Sequence, residues 1–342
     1  MKSKLKILFI VVSMFMSSTP LSFAEEPSQG WERITDMPER RSEAGSTVIN
    51  EMIYVIGGLD NKDHPTDTVF VFDTKNESWS IGTPMPIKLH HVGVAQNDGK
   101  IYVVGGYLEG WIPSNSLLIY DVNVDSWSFG VDMPTARGAL TVEFIENELF
   151  AIGGFNEFTR EENEKYDPTS DSWEKKSPLP TPREHLTSST LDDKLYIIGG
   201  RAQSHNSDAH ERYDSKTDSW KILKPLPTAR SGLTASTLNG AIFVFGGEEL
   251  KKTFNENEAY IPDEGWFEQQ PMPISRHGLT SETVGGNIYL IGGGVIPGFS
   301  SSKIVEKYHN TIIPEFGILV SIILAISVGM IIIFSKNKFK II

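Results

Sequence analysis

The feature that most constrains the fold of this chain is a glycine pair that recurs six times at nearly equal intervals. The pairs are Gly57-Gly58, Gly105-Gly106, Gly153-Gly154, Gly199-Gly200, Gly246-Gly247 and Gly292-Gly293, at intervals of 48, 48, 46, 47 and 46 residues. A tryptophan stands 26 residues before each pair, at Trp31, Trp79, Trp127, Trp173, Trp220 and Trp266. This period is too long for a heptad or a leucine-rich repeat, and it suits four short strands with their turns. The sequence therefore predicts six copies of one β unit.

Each unit keeps the same internal order. In the third unit, Trp127 is followed by Met133-Pro134, by Arg137, by the apolar run 149–152 with its glycine pair, and by Tyr166-Asp167. Apolar runs of four residues before a glycine pair predict strands that are buried on both faces. The acidic residues between Tyr-Asp and the next tryptophan favour tight turns.

A glycine pair that closes a strand, then Tyr-Asp, then Trp six residues after the Asp, as in Tyr120, Asp121 and Trp127, resembles the kelch repeat. The resemblance covers roughly residues 31–309 and implies an all-β, six-bladed kelch-type β-propeller with one four-stranded blade per unit. The last unit ends at Tyr308 with no tryptophan after it. We therefore expect the segment at Trp31 to be the outer strand of the last blade, which closes the ring and removes free sheet edges.

Both ends of the chain carry patterns of export and membrane anchoring. Residues 1–24 combine three lysines, a short apolar run and a small residue at Ala24, which predicts a signal peptide. Residues 316–334 are uncharged and long enough to cross a bilayer, which predicts a transmembrane helix. A linker at 310–315 precedes this helix, and the basic tail 335–342 is expected in the cytoplasm. We thus predict an exported propeller at the extracellular face of the cell membrane, anchored by its C-terminus.

The segment Pro314-Glu315-Phe316-Gly317, followed by the apolar stretch and the lysine tail, resembles the PEFG-type sorting signals of archaeal surface proteins. The resemblance implies that an archaeosortase-like enzyme cuts near Pro314 and replaces the helix with a lipid. Whether the mature protein spans the membrane or carries a lipid is left open by the sequence.

Charge and composition exclude several functions. The chain has a net charge of −13, and setting aside three lysines at each end leaves −19 on the rest, which disfavours a nucleic-acid partner. The absence of cysteine excludes disulfides, thiolate metal sites and cysteine nucleophiles. The eight histidines are scattered and form no two-histidine helix motif, and no D-x-D-x-D-G calcium loop is present. We therefore expect no metal site and no cofactor.

Five units carry an arginine three residues after a Met-Pro or Leu-Pro pair, namely Arg41, Arg137, Arg183, Arg230 and Arg276. The second unit has Leu89 there, followed by His90. In kelch propellers this position begins the innermost strand, so the resemblance implies a ring of guanidiniums beside the central channel. We predict that these arginines and His90 bind a ligand, because arginine pairs with carboxylates in forked geometry. The alternative is that each arginine pairs with carbonyls of its own blade or with acids such as Glu43 and Glu184.

The loops after the glycine pairs vary most between units, and loops on a rigid scaffold usually carry binding specificity. Trp111, in the second of these loops, is the only tryptophan outside the repeat pattern. We predict either that it contacts a sugar ring or a partner side chain, or that it covers the blade beneath it.

These patterns favour a cell-surface module that recognises a glycan or a surface protein through the arginine-rimmed face and does not catalyse. The alternative is a carbohydrate-acting enzyme of the sialic-acid mutarotase type, because exported six-bladed kelch proteins include a family that this chain resembles. That resemblance implies a carboxylate and an arginine in the channel. Glu43 or Glu184, together with Arg41 or Arg183, are the candidates. A copper site like that of galactose oxidase is excluded because it needs a cysteine.

Overall fold

A computed structural model describes residues 30–309 of the chain. These residues form six antiparallel sheets of four strands, four two-stranded hairpins and the 3-10 turn Glu109–Trp111. The predicted signal peptide, linker, C-terminal helix and basic tail lie outside the described residues. Among residues 30–309, no helix has the length and apolar character needed to cross a membrane.

Every sheet is one blade, and its strands are ordered inner, second, third and outer from the axis. The inner strands are Gly45–Ile49, Gly93–Asn97, Thr141–Ile145, Thr187–Leu191, Thr234–Leu238 and Thr280–Val284. The second strands are Met52–Ile56, Lys100–Val104, Glu148–Ile152, Lys194–Ile198, Ala241–Phe245 and Asn287–Ile291. The third strands are Val69–Asp73, Leu117–Asp121, Asn163–Asp167, His210–Asp214, Asn257–Ile261 and Val305–His309. The outer strands are Ser78–Ile81, Ser126–Phe129, Ser172–Lys175, Ser219–Ile222, Gly265–Glu268 and Trp31–Arg33.

The hydrophobic core lies between neighbouring blades. One apolar cluster joins Tyr54 and Val71 of the first blade to Val103 and Leu118 of the second. The second strands are apolar on both faces because each face packs against a different neighbouring blade. This packing confirms the reading of the apolar runs as doubly buried strands.

The ring closes as the sequence predicts. Trp31–Arg33 is the outer strand of the sixth blade, where Trp31 pairs with Tyr308. The two rings pack with centroids 4.8 Å apart, and the indole of Trp31 donates to the carbonyl of Gln270 in the fifth blade. One sheet thus unites both ends of the propeller.

The glycine pairs allow each blade to approach the next. The amide of Gly106 donates to the carbonyl of Arg137 at 2.9 Å, and a Cβ on Gly105 would lie only 2.5 Å from that carbonyl oxygen. Both glycines have positive φ, which other residues adopt only at a cost. The same bond recurs from the second glycine of every pair, and Leu89 supplies the carbonyl in the second unit. The repeated glycines therefore join the blades.

A closed ring of six backbone hydrogen bonds surrounds the propeller axis. One residue from each unit donates to the corresponding residue of a neighbouring unit at 2.8 to 3.0 Å. All six have positive φ, and in order around the ring they are Glu43, Gly278, Gly232, His185, Ala139 and His91. We call this the axial ring.

Four hairpins follow glycine pairs and rise around one end of the axis. They are Tyr107–Leu108 with Ile112–Pro113, Phe155–Asn156 with Phe158–Thr159, Arg201–Ala202 with His205–Asn206, and Glu248–Glu249 with Lys252–Thr253. They give this end of the propeller raised walls.

Candidate functional site

A cavity of about 1060 Å³ opens between the hairpins and is lined by residues from all six units. We call it the mouth cavity. Its wall is aromatic on one side, where Tyr107, Trp111, Phe155 and Phe299 lie. Its floor is polar and includes side chains of the axial ring. A polar floor with an apolar wall is the usual composition of a small-molecule site.

Seven polar side chains form a connected floor network, consisting of His91, Glu43, His277, Glu248, Arg201, Glu184 and His185. Glu43 lies between two imidazoles, with its carboxylate 3.4 Å from Nε2 of His91 and 3.5 Å from Nδ1 of His277. Nδ1 of His277 is also 3.4 Å from the carboxylate of Glu248. Acidic and basic groups thus alternate along this part of the floor.

Arg201 connects the second half of the floor network. Its Nη1 lies 3.2 Å from Glu248 and its Nε donates to Glu184 at 2.7 Å. The other oxygen of Glu184 contacts Nδ1 of His185 in a short bond. The rings of His185 and His91 pack edge to face with centroids 4.8 Å apart, which closes the network.

The network holds its carboxylates in the ionised state. Burial by itself would raise the pKa of Glu43, but the neighbouring imidazoles of His91, His277 and His185 lower it below its ordinary value. Burial also opposes ionisation of Glu184, whose pKa the charge and hydrogen bond of His185 and the Arg201 guanidinium lower to about 2. At neutral pH both groups therefore act as hydrogen-bond acceptors.

The histidines of the floor divide by environment. Burial lowers the pKa of His91 well below its ordinary value, although Glu43 opposes the change. For His277 burial is outweighed by Glu43 and Glu248, which raise its pKa. The environment of His91 therefore favours the neutral imidazole, whereas that of His277 favours the protonated one.

The five predicted arginines lie inside the blades and do not reach the mouth cavity. Each is at most 2% exposed. Arg183 donates from Nη1 to Glu211 at 2.5 Å and from Nε to the carbonyl of Gly199 at 2.7 Å. The same arrangement recurs in Arg137 with Glu164 and in Arg230 with Glu258. Arg276 makes the equivalent contacts with other atoms, since its Nη2 donates to Glu306 and its Nη1 to the carbonyl of Gly292. These contacts agree with the alternative that each arginine pairs with groups of its own blade. The acidic partners, however, are third-strand glutamates and not Glu43 or Glu184.

Arg41 differs in detail because its first-blade partner is not a third-strand glutamate. Its guanidinium donates to Glu39 and Thr68 and lies 5.0 Å from the ring centre of Phe70. It is equally buried and serves its own blade.

The structure separates the two other predicted site residues. Trp111 is 46% exposed and lines the mouth cavity, so its indole face is available to a ligand. His90 is buried behind it, with its ring centroid 4.7 Å from that of Trp111 and 5.4 Å from that of Tyr107. His90 therefore positions the aromatic wall and does not line the cavity.

Two expectations about the site change. The predicted arginine partners of Glu43 and Glu184 were Arg41 and Arg183, whereas the guanidinium at the floor belongs to Arg201. The histidines are not all scattered in space, because ligand atoms of Glu43, His91 and His185 lie within 4.8 Å of one another. Equivalent positions of a circular repeat meet at the axis however far apart they are in the sequence. The residues that form the axial ring stand two places after each arginine position, and the sequence-based predictions did not group them.

A family model described as the KLHDC2/KLHL20/DRC7 Kelch-repeats domain matches residues 43–247 and, in a second alignment, residues 90–293. The chain belongs to the kelch-repeat family. The kelch propeller fold supports a role as a protein-interaction module. The solved structure titled "Structure of YjhT" matches this kelch protein with a TM-score of 0.72 and 16% identity, over 80% of this chain and 95% of that one. No curated protein sequence significantly matches this chain.

The likeness to YjhT overturns the prediction that this kelch protein is not an enzyme. YjhT is a sialic acid mutarotase, a sugar-modifying enzyme, so a propeller of this form is compatible with catalysis. At 16% identity the likeness shows the fold alone and identifies no substrate for this chain.

Proposed function

We propose that this kelch protein is a carbohydrate-acting enzyme that interconverts the anomers of a sugar bound in the mouth cavity. One observation carries the proposal: two buried carboxylates, Glu184 and Glu248, are held by Arg201 at the floor of an aromatic-walled cavity. Such carboxylates accept hydrogen bonds from sugar hydroxyls and can move a proton between them.

The wall of the mouth cavity supports a sugar ligand. The rings of Trp111 and Phe299 lie on the same side, with centroids 6.1 Å apart, and both are exposed to the cavity. Aromatic faces pack against the C–H face of a pyranose ring while the carboxylates at the floor take its hydroxyls. This division of apolar wall and polar floor matches the two faces of a sugar.

The charge of the floor favours a neutral sugar. Glu43, Glu184 and Glu248 place three carboxylates around Arg201, whose guanidinium already contacts two of them. A substrate carboxylate would meet this negative charge without a free arginine to pair with it. We therefore expect a neutral sugar to bind better than sialic acid.

The reaction needs one proton to move and no oxidant or second substrate. One floor carboxylate takes the proton of the anomeric hydroxyl and gives it to the ring oxygen as the C1–O5 bond breaks. The product is the open-chain carbonyl form. Rotation about the bond to C1 and the reverse proton transfer close the ring to the other anomer. Glu184 and Glu248 are the candidates for this carboxylate, and the other one binds neighbouring hydroxyls.

The test is an NMR exchange measurement of anomer interconversion by the full-length protein with a panel of neutral and acidic reducing sugars. We expect acceleration with at least one neutral sugar. Replacing the proton-transferring carboxylate by glutamine should lower kcat about 100-fold or more, whereas replacing the binding one should mainly raise KM. Glu268→Gln, on the exposed outer strand of the fifth blade, is the matched control. If no sugar is interconverted faster than in buffer, the proposal is wrong.

A binding role without turnover is the second candidate, and the rim of the mouth cavity favours it. Phe158, Leu250 and Ile296 stand at the rim or next to lining residues and are 60% or more exposed. Exposed apolar side chains that cluster at one end of a protein are typical of an interaction surface. Recognition of a glycan or surface protein would then involve this rim in place of the buried arginines. Saturable sugar or protein capture with no anomer exchange would select this candidate.

We further propose that the protein works at the extracellular face of the cell membrane. Support comes from the signal-peptide pattern of residues 1–24 and the apolar stretch 316–334 with its lysine tail. Membrane attachment would occur through the helix or through a lipid after archaeosortase-like processing. Mass spectrometry of the membrane-extracted protein distinguishes the two.

A further inference from the structure

We infer that Glu43, His91 and His185 form a binding site for a divalent transition-metal ion, with Zn²⁺ as the best fit. Each residue offers one ligand atom, and these atoms lie within 4.8 Å of one another at the floor of the mouth cavity. Metal binding here does not depend on the proposed sugar chemistry.

The spacing of the ligand atoms suits a small cation. Zinc lies about 2.0 to 2.1 Å from histidine nitrogen and carboxylate oxygen, so tetrahedral ligands are about 3.3 Å apart. Nε2 of His91 is 3.4 Å from the carboxylate of Glu43, which matches that edge. The other ligand atoms lie within 4.8 Å of one another, and a separation of that size closes with side-chain movements of about an ångström.

The axial ring fixes the three ligands at one level of the propeller. Glu43, His91 and His185 have φ of 52°, 54° and 49°, values that a non-glycine residue adopts only at an energetic cost. The remaining ring positions are Ala139, Gly232 and Gly278, which leave the centre free. A Cβ on Gly278 would lie 2.1 Å from Oε1 of Glu43, so glycine is required there for the carboxylate to occupy its position. The ring thus combines strained ligand residues with small neighbours.

Each histidine has a partner on its other ring nitrogen. Nδ1 of His185 contacts Glu184, and Nδ1 of His91 lies 2.5 Å from Nδ1 of His90. With Nδ1 occupied, each imidazole offers Nε2 as its metal ligand, and Nε2 of His91 lies 3.4 Å from the carboxylate of Glu43. A carboxylate that holds the distal nitrogen of a metal-binding histidine orients the ring and strengthens the ligand. The arrangement around His185 has this form.

The contacts of Glu43 without an ion are loose. Its carboxylate is 3.4 Å from His91 and 3.5 Å from His277, longer than the usual range of about 2.7 to 3.2 Å for an N–H···O bond. Among the described residues, Nδ1 of buried His277 has no hydrogen-bond partner. A cation between Glu43, His91 and His185 gives the carboxylate a short, strong contact that the protein alone does not provide.

The ligand set indicates both the metal and its role. Two imidazoles and one carboxylate suit zinc and other late first-row ions. Three protein ligands leave at least one position for a further ligand, and all three ligand residues line the mouth cavity. A site of this kind binds a water or a substrate oxygen, which distinguishes it from a closed structural zinc site.

The test is metal titration of the full-length protein after treatment with a chelator. We expect one Zn²⁺ per chain by calorimetry, and Co²⁺ at the same site should give visible absorption bands of a four- or five-coordinate ion. Glu184→Gln should weaken Zn²⁺ binding about 10- to 100-fold, and His91→Gln, His185→Gln or Glu43→Gln should weaken it more. His205→Asn, an exposed histidine on a nearby hairpin, is the control and should leave affinity unchanged.

Folded wild-type protein without a saturable site for Zn²⁺ or Co²⁺ would overturn the metal site, and this result needs no variant. Binding that persists in the three ligand variants, or falls equally in His205→Asn, would also overturn it. Because the readout is metal affinity, a failure of sugar turnover leaves the result intact. Turnover that survives complete removal of the metal would show that the sugar chemistry does not need the ion, and the metal site would still be judged by metal affinity alone.

Discussion

Arg183 is fully buried, and its guanidinium meets Glu211 and three backbone carbonyls of its own blade. The sequence places Arg183 near the start of an inner strand, where a side chain can point either into the channel or into the blade. Only the direction of the side chain distinguishes a ligand-binding role from a structural one. The repeat itself favours a structural role, since five units carry the arginine and four of them use it for the same contact with a third-strand glutamate. The direction of the side chain, however, depends on the third-strand glutamate, which the sequence pattern does not connect with the arginine.

Removing Arg183 should destabilise the propeller strongly. In Arg183→Ala the carboxylate of Glu211 stays buried without its cation, and breaking a buried ion pair in this way costs about 3 to 5 kcal/mol of unfolding free energy. Chemical denaturation of the full-length protein measures the change. Arg33→Ala is the matched control, because Arg33 pairs with Asp36 at the surface, where a pair is worth at most about 1 kcal/mol. Equal losses in both variants would contradict a structural role for the buried arginine.

At the scale of the strand, the inner strands line a second cavity on the other side of the axial ring. This channel of about 560 Å³ is lined mainly by hydroxyl groups of serine and threonine. Three glutamates are among its lining residues, and two of them, Glu143 and Glu282, are deeply buried. Burial raises the pKa of Glu143 to about 7, and burial together with the charge of Glu143 raises the pKa of Glu282 to about 8. Glu143 and Glu282 therefore keep their protons to a higher pH than Glu43 and Glu184 of the mouth cavity do.

Glu282 should make the protein less stable as the pH rises. The unfolded chain releases this proton near the ordinary value of 4.5, whereas the folded protein keeps it up to about pH 8. The free energy of unfolding therefore falls between about pH 4.5 and pH 8 and no longer changes for this group above that range. Glu282→Gln removes this contribution, so its stability should equal that of the wild type near pH 4.5 and exceed it at pH 9.

Thermal unfolding across this pH range measures the effect, and Glu268→Gln on an exposed outer strand serves as the control. Parallel pH profiles for Glu282→Gln and the wild type would show that Glu282 is already ionised in the folded protein.

The strands themselves were predictable, because the repeat identifies each apolar run six times and the missing last tryptophan identifies Trp31–Arg33 as the closing strand. The hairpins after the glycine pairs were predicted only as loops. Their lengths and residues differ between units, so no repeated pattern indicates which side chain turns inward. Arg201 lies at the start of one such hairpin, and its role at the cavity floor could not be found from the repeat.

At the scale of the whole molecule, the propeller brings together residues from distant parts of the chain. His91 and His185 lie 48 and 142 residues after Glu43, yet all three belong to the axial ring. The sequence predicts that equivalent positions meet at the axis. It does not predict which position has positive φ and directs its side chain into the cavity, because that depends on hydrogen bonds between neighbouring units. The fold was therefore predictable from the repeat, whereas the floor network was not.

The two axial cavities offer a direct comparison, since each contains carboxyl groups from the same propeller. The first measurement to make is the rate of sugar anomer exchange by NMR for the wild type, Glu184→Gln in the mouth cavity and Glu143→Gln in the channel. We expect Glu184→Gln to slow the exchange about 100-fold through lost proton transfer or weaker sugar binding, and Glu143→Gln to change it by less than about twofold. Loss of exchange in Glu143→Gln with full activity in Glu184→Gln would place the activity in the channel and contradict a functional site in the mouth cavity.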